Sequence, residues 1–199
     1  MSGRRGGGSG RPRDERIDTE VIAAVLDGLR RRGYHAITID GIARKIGRAR
    51  TSLYRRWPSK RHLVAYAIVG ELGYSPAADT GSLRGDLEAA VATLRRAFAG
   101  PLGRGLAGLV AHMAQDVALA RTIRREVLAA RRQSMRAAFA RASARGETRT
   151  GLNIEVLLDM LTAPFYYRTL FGHAPITPHM TRAVVAYVVR MARPEPAGA

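Results

Sequence analysis

Apolar side chains recur every three or four residues along most of this 199-residue chain, and that spacing constrains the fold more than any other feature. The row Leu83, Leu87, Val91, Leu94 and Phe98 is the clearest example. Such a row lies on one side of a helix of about 3.6 residues per turn, whereas the side chains of a strand alternate between two faces. The last segment has a Val-rich centre that would also suit a strand, but the sequence offers it no partner strand. The sequence therefore predicts an all-α fold.

Nine helices are predicted from these rows and from the Gly, Pro and capping residues that end them. Their approximate limits are 14–32, 39–46, 50–56, 59–74, 83–99, 104–114, 116–144, 152–171 and 178–192.

Residues 38–63 contain two short helices joined by a tight turn at Gly47. Ala43 allows the helices to cross closely, and Ile42 and Leu53 supply apolar contacts. This spacing is typical of a helix-turn-helix that presents its second helix to a DNA major groove, although two core helices joined by a glycine turn would also show it. The second helix and its approach favour the first interpretation, because they carry basic and hydroxyl side chains and no acid: Arg48, Arg50, Thr51, Ser52, Tyr54, Arg55 and Arg56.

The net charge of +17 is concentrated near the N-terminus. Residues 1–61 carry 16 Lys and Arg against 6 Asp and Glu, whereas the other 138 residues carry 17 against 10. This charge favours a polyanionic partner, with nucleic acid ahead of an anionic membrane surface. The sequence shows no cysteine, no secretory signal and no apolar run that could span a bilayer, so a cytoplasmic protein without membrane contact is expected.

The stretch ITIDGIARKIGRARTSLYRRWPSKRHL (37–63) resembles the TetR family of bacterial transcriptional regulators. The stretch RGETRTGLNIEVLLDMLTAPFYYRTLFGHAPIT (145–177) is similar to one branch of that family, and the resemblance covers about residues 14–192. It implies a homodimer that binds a palindromic double-stranded DNA operator, usually as a repressor. An unknown small-molecule effector in the C-terminal half would release the DNA.

The predicted organisation has four parts. They are a disordered basic tail at 1–13, a helix-turn-helix DNA-binding domain at 14–60, a helical regulatory, ligand-binding and dimerisation domain at 61–193, and a disordered tail at 194–199. The composition of the first tail is compatible with a basic arm that enters a DNA groove and with a solvated tail that contacts nothing.

The resemblance implies two kinds of DNA contact. Groups near the ends of the motif are expected to bind phosphates, and the start of the second helix to read base edges, where an Arg–guanine pair discriminates by ~1–3 kcal/mol. The phosphate candidates are Thr38, Tyr54 and Lys60, the base candidates are Arg50, Thr51 and Ser52, and Arg55 suits either role. Trp57 is expected in the core.

Two residues depart from the family pattern just after the turn. The family has an apolar residue and then Ser or Thr where this chain has Arg48 and Ala49. Without a hydroxyl at position 49 the second helix loses a side-chain cap worth about 1 kcal/mol. Arg48 is expected to face a phosphate instead.

The predicted helix 152–171 is apolar on two sides, and a helix with two apolar faces must be covered on both. Its own domain covers one face, and a second chain is the natural cover for the other. We therefore expect a four-helix interface between two copies, formed by this helix and the last one. Its predicted residues are Val156, Met160, Tyr167, Val184, Val188 and Met191.

The ligand site is less defined in the sequence. Apolar candidates for a cavity are Leu94, Phe98, Leu109, Met113, Val127 and Phe139, with His112, Gln115 or Tyr166 as polar markers, although each also suits a plain core position. Nearby Arg residues favour an acidic ligand, but the general excess of Arg weakens that argument.

Enzymatic interpretations fit poorly. The run GRGLAG (103–108) matches a dinucleotide-binding formula but follows no predicted strand, and the histidines lack metal-ligand spacing. No enzyme activity, cofactor or metal is therefore expected. Two other classes stay open: a non-specific architectural nucleic-acid-binding protein, and a small-molecule-binding protein that has lost DNA binding. The second would be expected to lack Tyr54 and Lys60.

Overall fold

A computed structural model of the protein describes residues 15–72 and 78–194. Within these residues every regular element is helical, which confirms the all-α prediction. The helices are α1 (Glu15–Arg32), α2 (Ile39–Lys45), α3 (Arg50–Arg56), α4 (Lys60–Leu72), α5 (Leu83–Ala99), α6 (Pro101–Gln115), α7 (Val117–Ile123), α8 (Ala129–Ala144), α9 (Ile154–Phe171) and α10 (Pro178–Ala192).

The segment predicted as one helix at 116–144 contains a π-helical turn, Arg124–Leu128, between α7 and α8. The backbone stays helical at both junctions, with φ −59° and ψ −46° at Arg124 and φ −64° and ψ −45° at Ala129. Helices α7 and α8 are thus one continuous helix, and the described residues form nine helices as predicted. π-Helical turns occur frequently at functional sites, and no residue pattern in the sequence predicts this one.

Helix α1 packs on α4 and α6, and glycine makes the approach to α6 possible. A Cβ at Gly105 would lie 3.0 Å from the Leu29 Cβ and 3.1 Å from the Leu29 carbonyl carbon. The GRGLAG run lies inside α6, where it serves helix packing. Helix α6 also begins earlier than predicted, at Pro101, because proline suits the first turn of a helix.

Helix α5 lies at the centre of the C-terminal part and contacts α4, α6, α8, α9 and α10. The side chains of its apolar row, Leu83 to Phe98, are at most 7% exposed. The Val-rich last segment is helical and packs on α5. The prediction of a helix there, made because the sequence offers no partner strand, is confirmed.

A buried ion pair joins α5 to α8. The Asp86 carboxylate accepts hydrogen bonds from the Thr80 N–H (2.7 Å), the Thr80 hydroxyl (2.8 Å) and Arg141 Nη2 (2.8 Å), and its side chain is fully buried. Burial acts to raise the pKa of Asp86, but these hydrogen bonds outweigh it and hold that pKa below its ordinary value.

Some predicted features lie outside the described residues. They are the tail at 1–13, Tyr74 as the end of the fourth helix, and most of the C-terminal tail, 195–199. None of the described helices is long and apolar enough to cross a membrane. Three or more metal-ligating side chains do not cluster anywhere in residues 15–72 and 78–194.

Candidate nucleic-acid interface and cavity

A glycine turn of defined geometry joins α2 to α3. Gly47 has φ +66°, its N–H donates to the Arg44 carbonyl (3.3 Å), and the Arg48 N–H donates to the Ala43 carbonyl (2.9 Å). This is the Schellman arrangement, in which a left-handed residue ends a helix and satisfies its last carbonyls. It fixes the angle at which α3 leaves α2, as a helix-turn-helix requires.

The ends of the two helices are capped differently. The Thr38 hydroxyl accepts from the Gly41 N–H at 3.0 Å and caps α2, whereas Ala49 gives α3 no side-chain cap, as the sequence predicts. Arg48 lies 3.7 Å from the Glu20 carboxylate on α1. An ion pair thus replaces the apolar contact that commonly accompanies a Schellman turn.

One face of α3 points to solvent and carries cationic and hydroxyl groups. Arg50, Thr51, Tyr54 and Arg55 are exposed, while Leu53 is 1% exposed and faces the core. The structure describes the side chains of residues 16–72 and 78–194, and none of the acids among them forms an ion pair with Arg50 or Arg55. Both guanidinium groups are therefore free to bind an anion. Ser52, the third base candidate, is half-buried.

Arg56 and Trp57, at the end of α3, hold the helix against its neighbours. Arg56 Nη1 donates to Asp18 on α1 at 2.7 Å, so this arginine is committed to an internal ion pair. Trp57 is 5% exposed and packs its ring 5.0 Å from that of Tyr66, which confirms it as a core residue.

Lys60 has a role that the sequence did not reveal. Its ammonium donates to the carbonyls of Tyr34 (3.2 Å) and His35 (3.3 Å) and lies 4.2 Å from the Tyr34 ring centre. Burial lowers the pKa of Lys60, and nearby Asp116 opposes that effect. The residue therefore ties the loop before α2 to the start of α4, and one N–H is left over for a phosphate.

A cavity of about 380 Å³ lies between α4, α5 and the continuous helix α7–α8, and this volume is within the range of small-molecule sites. Large apolar side chains cover part of its wall: Val69, Leu72, Leu87, Val127 and Met135. Six alanines leave the space open, namely Ala78, Ala89, Ala90, Ala92, Ala130 and Ala138. The polar lining residues are Asp86, Thr93, Arg96, Glu126, Arg131 and Ser134.

Only Val127 of the nine predicted ligand residues lines this cavity. The others are spread over the fold: Leu94, Phe98, Leu109 and Phe139 are in the core, Met113, His112 and Tyr166 are half-buried, and Gln115 is exposed. The His112 ring packs 5.3 Å from that of Tyr34, between α6 and the loop before α2. The structure thus separates most of the residues that the sequence grouped.

Helices α9 and α10 pack on each other and expose large apolar side chains. These are Val156, Met160, Tyr167 and Phe171 on α9 and Tyr187 and Met191 on α10, each between 39 and 70% exposed. Val184 is half-buried. The prediction of Val188 as an interface residue is wrong, because it is 1% exposed and packs into the chain's own core. Tyr187, which the sequence analysis missed, faces solvent instead.

Two known protein families match this chain. The family described as "Bacterial regulatory proteins, tetR family" matches residues 22–67, which include the helix-turn-helix. The family described as "Tetracyclin repressor-like, C-terminal domain" matches residues 77–188, which is more than half of the chain.

Individual relatives agree with these matches. The chain is 27% identical over 177 residues to the uncharacterized HTH-type transcriptional regulator YdeS of Bacillus subtilis, covering 88% of this chain and 89% of YdeS. It is 28% identical over 162 residues to the DNA-binding transcriptional repressor TetR of Mycobacteroides abscessus, covering 80% and 85%. The crystal structure of the TetR family transcription regulator SCO0332 superposes with a TM-score of 0.69 at 29% identity, covering 89% of this chain and 99% of that one.

Proposed function

The chain belongs to the TetR family of bacterial transcriptional regulators, and on that premise we propose that it binds a palindromic DNA operator as a homodimer and releases it when a small molecule occupies the cavity. The observation that carries this proposal is the exposed face of α3. This face exposes Arg50, Thr51, Tyr54 and Arg55 to solvent, and none of the described acidic side chains pairs with either arginine. The turn at Gly47 fixes the orientation of the helix that carries them. Repression of transcription in the cytoplasm is the expected outcome.

The proposed DNA contacts keep the division suggested by the sequence. Arg50 and Thr51, at the N-terminal end of α3, meet base edges, whereas Tyr54 and the remaining N–H of Lys60 meet phosphates. Arg48 is half-engaged by Glu20 through one Nη at 3.7 Å, and its other N–H groups are available for a phosphate.

The exposed apolar residues of α9 and α10 support the homodimer. An apolar surface of this kind is typical of a protein interface, and two paired copies bury it in a four-helix bundle. The dimer presents two α3 helices to one face of the duplex. Half-sites about 34–36 Å apart, or a multiple of that distance, are then expected.

Selection of bound duplexes from a random pool, with the full chain, tests this function. A regulator enriches a palindrome and prefers it to other sequences by roughly a thousandfold or more. The alternative, an architectural protein that uses only its net charge, binds every duplex alike and enriches no sequence. A pool that stays random would therefore reject the proposed function.

Two single substitutions separate base contacts from phosphate contacts. In Arg50→Ala we expect preference at one base pair of each half-site to fall by about 1–3 kcal/mol, because a bidentate contact is lost. In Tyr54→Phe we expect weaker binding to every duplex alike, because the lost hydroxyl contacts the backbone. Affinities for the operator and for single-base variants at constant salt measure both effects.

Arg121→Ala is the control, because Arg121 is exposed on α7 and carries the same charge. It should leave the affinities and the order of preferred sequences unchanged. An Arg50→Ala protein that ranks the operator variants as the unmodified chain does would contradict base reading by this residue.

A further inference from the structure

Arg131 places an unusual charge beside the cavity. Its Nη2 donates to the Ala90 carbonyl at 2.7 Å, whereas its Nε is buried and has no hydrogen-bond partner among the described residues. Burial lowers the pKa of Arg131, and the nearby Tyr166 phenol opposes that effect only in part. Arg131 is half-buried, and a guanidinium with a buried, unpartnered N–H and no carboxylate beside it is costly to the folded state, so its presence here calls for an explanation.

The other charged groups at the cavity are already engaged. Asp86 is bound by Thr80 and Arg141, and Glu126 lies 2.9 Å from Arg125 Nη2 and 3.9 Å from the His62 ring.

Arg96, the second basic residue of the lining, is exposed and donates to the Thr93 hydroxyl at 3.3 Å. Among the residues that line the cavity and that the structure describes, Arg131 is thus the cation that has a buried Nε without a hydrogen-bond partner and no carboxylate beside it.

We propose that the effector of this regulator is an amphiphile with an acidic group, which Arg131 binds while Leu87, Val127 and Met135 contact its apolar part. Arg131 fits this role because a guanidinium offers several N–H donors in one plane and pairs with a carboxylate through two of them. The proposal rests on the proposed function, in that it makes the cavity the effector site. It goes beyond it in fixing the sign of the effector's charge.

Decanoate, decanol and decylamine test the sign of that charge, because they share an apolar chain and differ in the head group. Their binding to the full chain is measured by calorimetry and by thermal shift without DNA. We expect decanoate to bind more tightly than the other two, and Arg131→Gln to weaken decanoate by on the order of tenfold or more while leaving decanol unchanged. Arg121→Gln, with the same change on an exposed part of α7, should bind decanoate normally.

Three outcomes would overturn the proposal. They are equal binding of decanoate and decanol, preferred binding of decylamine, and binding of none of the three. The binding measurements are made without DNA. If the chain selects no duplex, the proposed DNA-binding function is rejected, but the result for the charge of the ligand is still valid.

The melting temperature of ligand-free Arg131→Met gives a second, independent test. A methionine fills similar space without the unpaired charge, so the variant should melt at or above the temperature of the unmodified protein and should lose its response to decanoate. A lower melting temperature would show that Arg131 serves the fold and would remove the reason for assigning it to a ligand.

Discussion

Asp86→Ala is expected to lower the free energy of unfolding by about 3 kcal/mol, because it removes the buried carboxylate that binds Arg141 and leaves that guanidinium only the exposed Asp79 as a counter-ion. The Asp86 carboxylate also holds Thr80 through two hydrogen bonds, so the start of α5 loses its tie to the residues before it. Urea denaturation followed by circular dichroism at neutral pH measures the loss.

Asp79→Ala is a matched control for this prediction. Asp79 also approaches Arg141, at 3.5 Å, but its side chain is 63% exposed. An exposed ion pair contributes only about 0–1 kcal/mol, so the control should stay close to the unmodified protein. Equal losses in the two variants would mean that burial does not set the strength of the Asp86 contact.

The pH dependence of unfolding follows from the same ion pair. The pKa of Asp86 lies below its ordinary value of 3.8 in the folded protein. Its contribution is therefore complete above that pH and is lost as the pH falls through the lower, folded-state value. We expect the stability of Asp86→Ala to depend less on pH in this acidic range than that of the unmodified chain.

Local signals in the sequence predicted the helix-turn-helix well. Thr38 caps α2 and Gly47 adopts a positive φ, and both depend on neighbours only three or four residues away. The poor capping of α3 at Ala49 was equally local. The commitment of Lys60 to the carbonyls before α2 was not, because those residues lie 25 or 26 positions earlier in the chain.

The position of the cavity could not be predicted from the sequence, because small residues create its space. Large apolar and aromatic residues are the usual lining of a ligand site, yet Leu94 and Phe139 fill the core. Alanine gives no such signal in a sequence, because its main effect there is to favour helix. The packing of three helices determines which alanines leave a void. The periodicity of any one helix carries no information about that packing.

Helical periodicity also left the rotation of α10 unresolved. Val184, Val188 and Met191 form one row at helical spacing, and Val184, Tyr187 and Met191 form another. The packing of α10 on α5 selects between them, since it turns Val188 inward and Tyr187 outward.

That outward position makes Tyr187→Asp the sharpest test of the proposed dimer. Tyr187 is 65% exposed in the single chain, so aspartate there should leave the fold intact while placing a charge in an apolar interface. We expect a monomer in light scattering and an operator affinity reduced roughly a hundred- to ten-thousandfold, because each chain then binds one half-site alone.

Val117→Asp supplies the control for this last prediction. Val117 is 68% exposed on α7, which packs on α4 and α6, so an identical gain of charge should change neither the mass of the particle nor its affinity for the operator. Circular dichroism checks that both variants are folded. A folded Tyr187→Asp protein that remains dimeric would place the interface elsewhere. One that becomes monomeric yet keeps full operator affinity would show that a single α3 is sufficient for recognition.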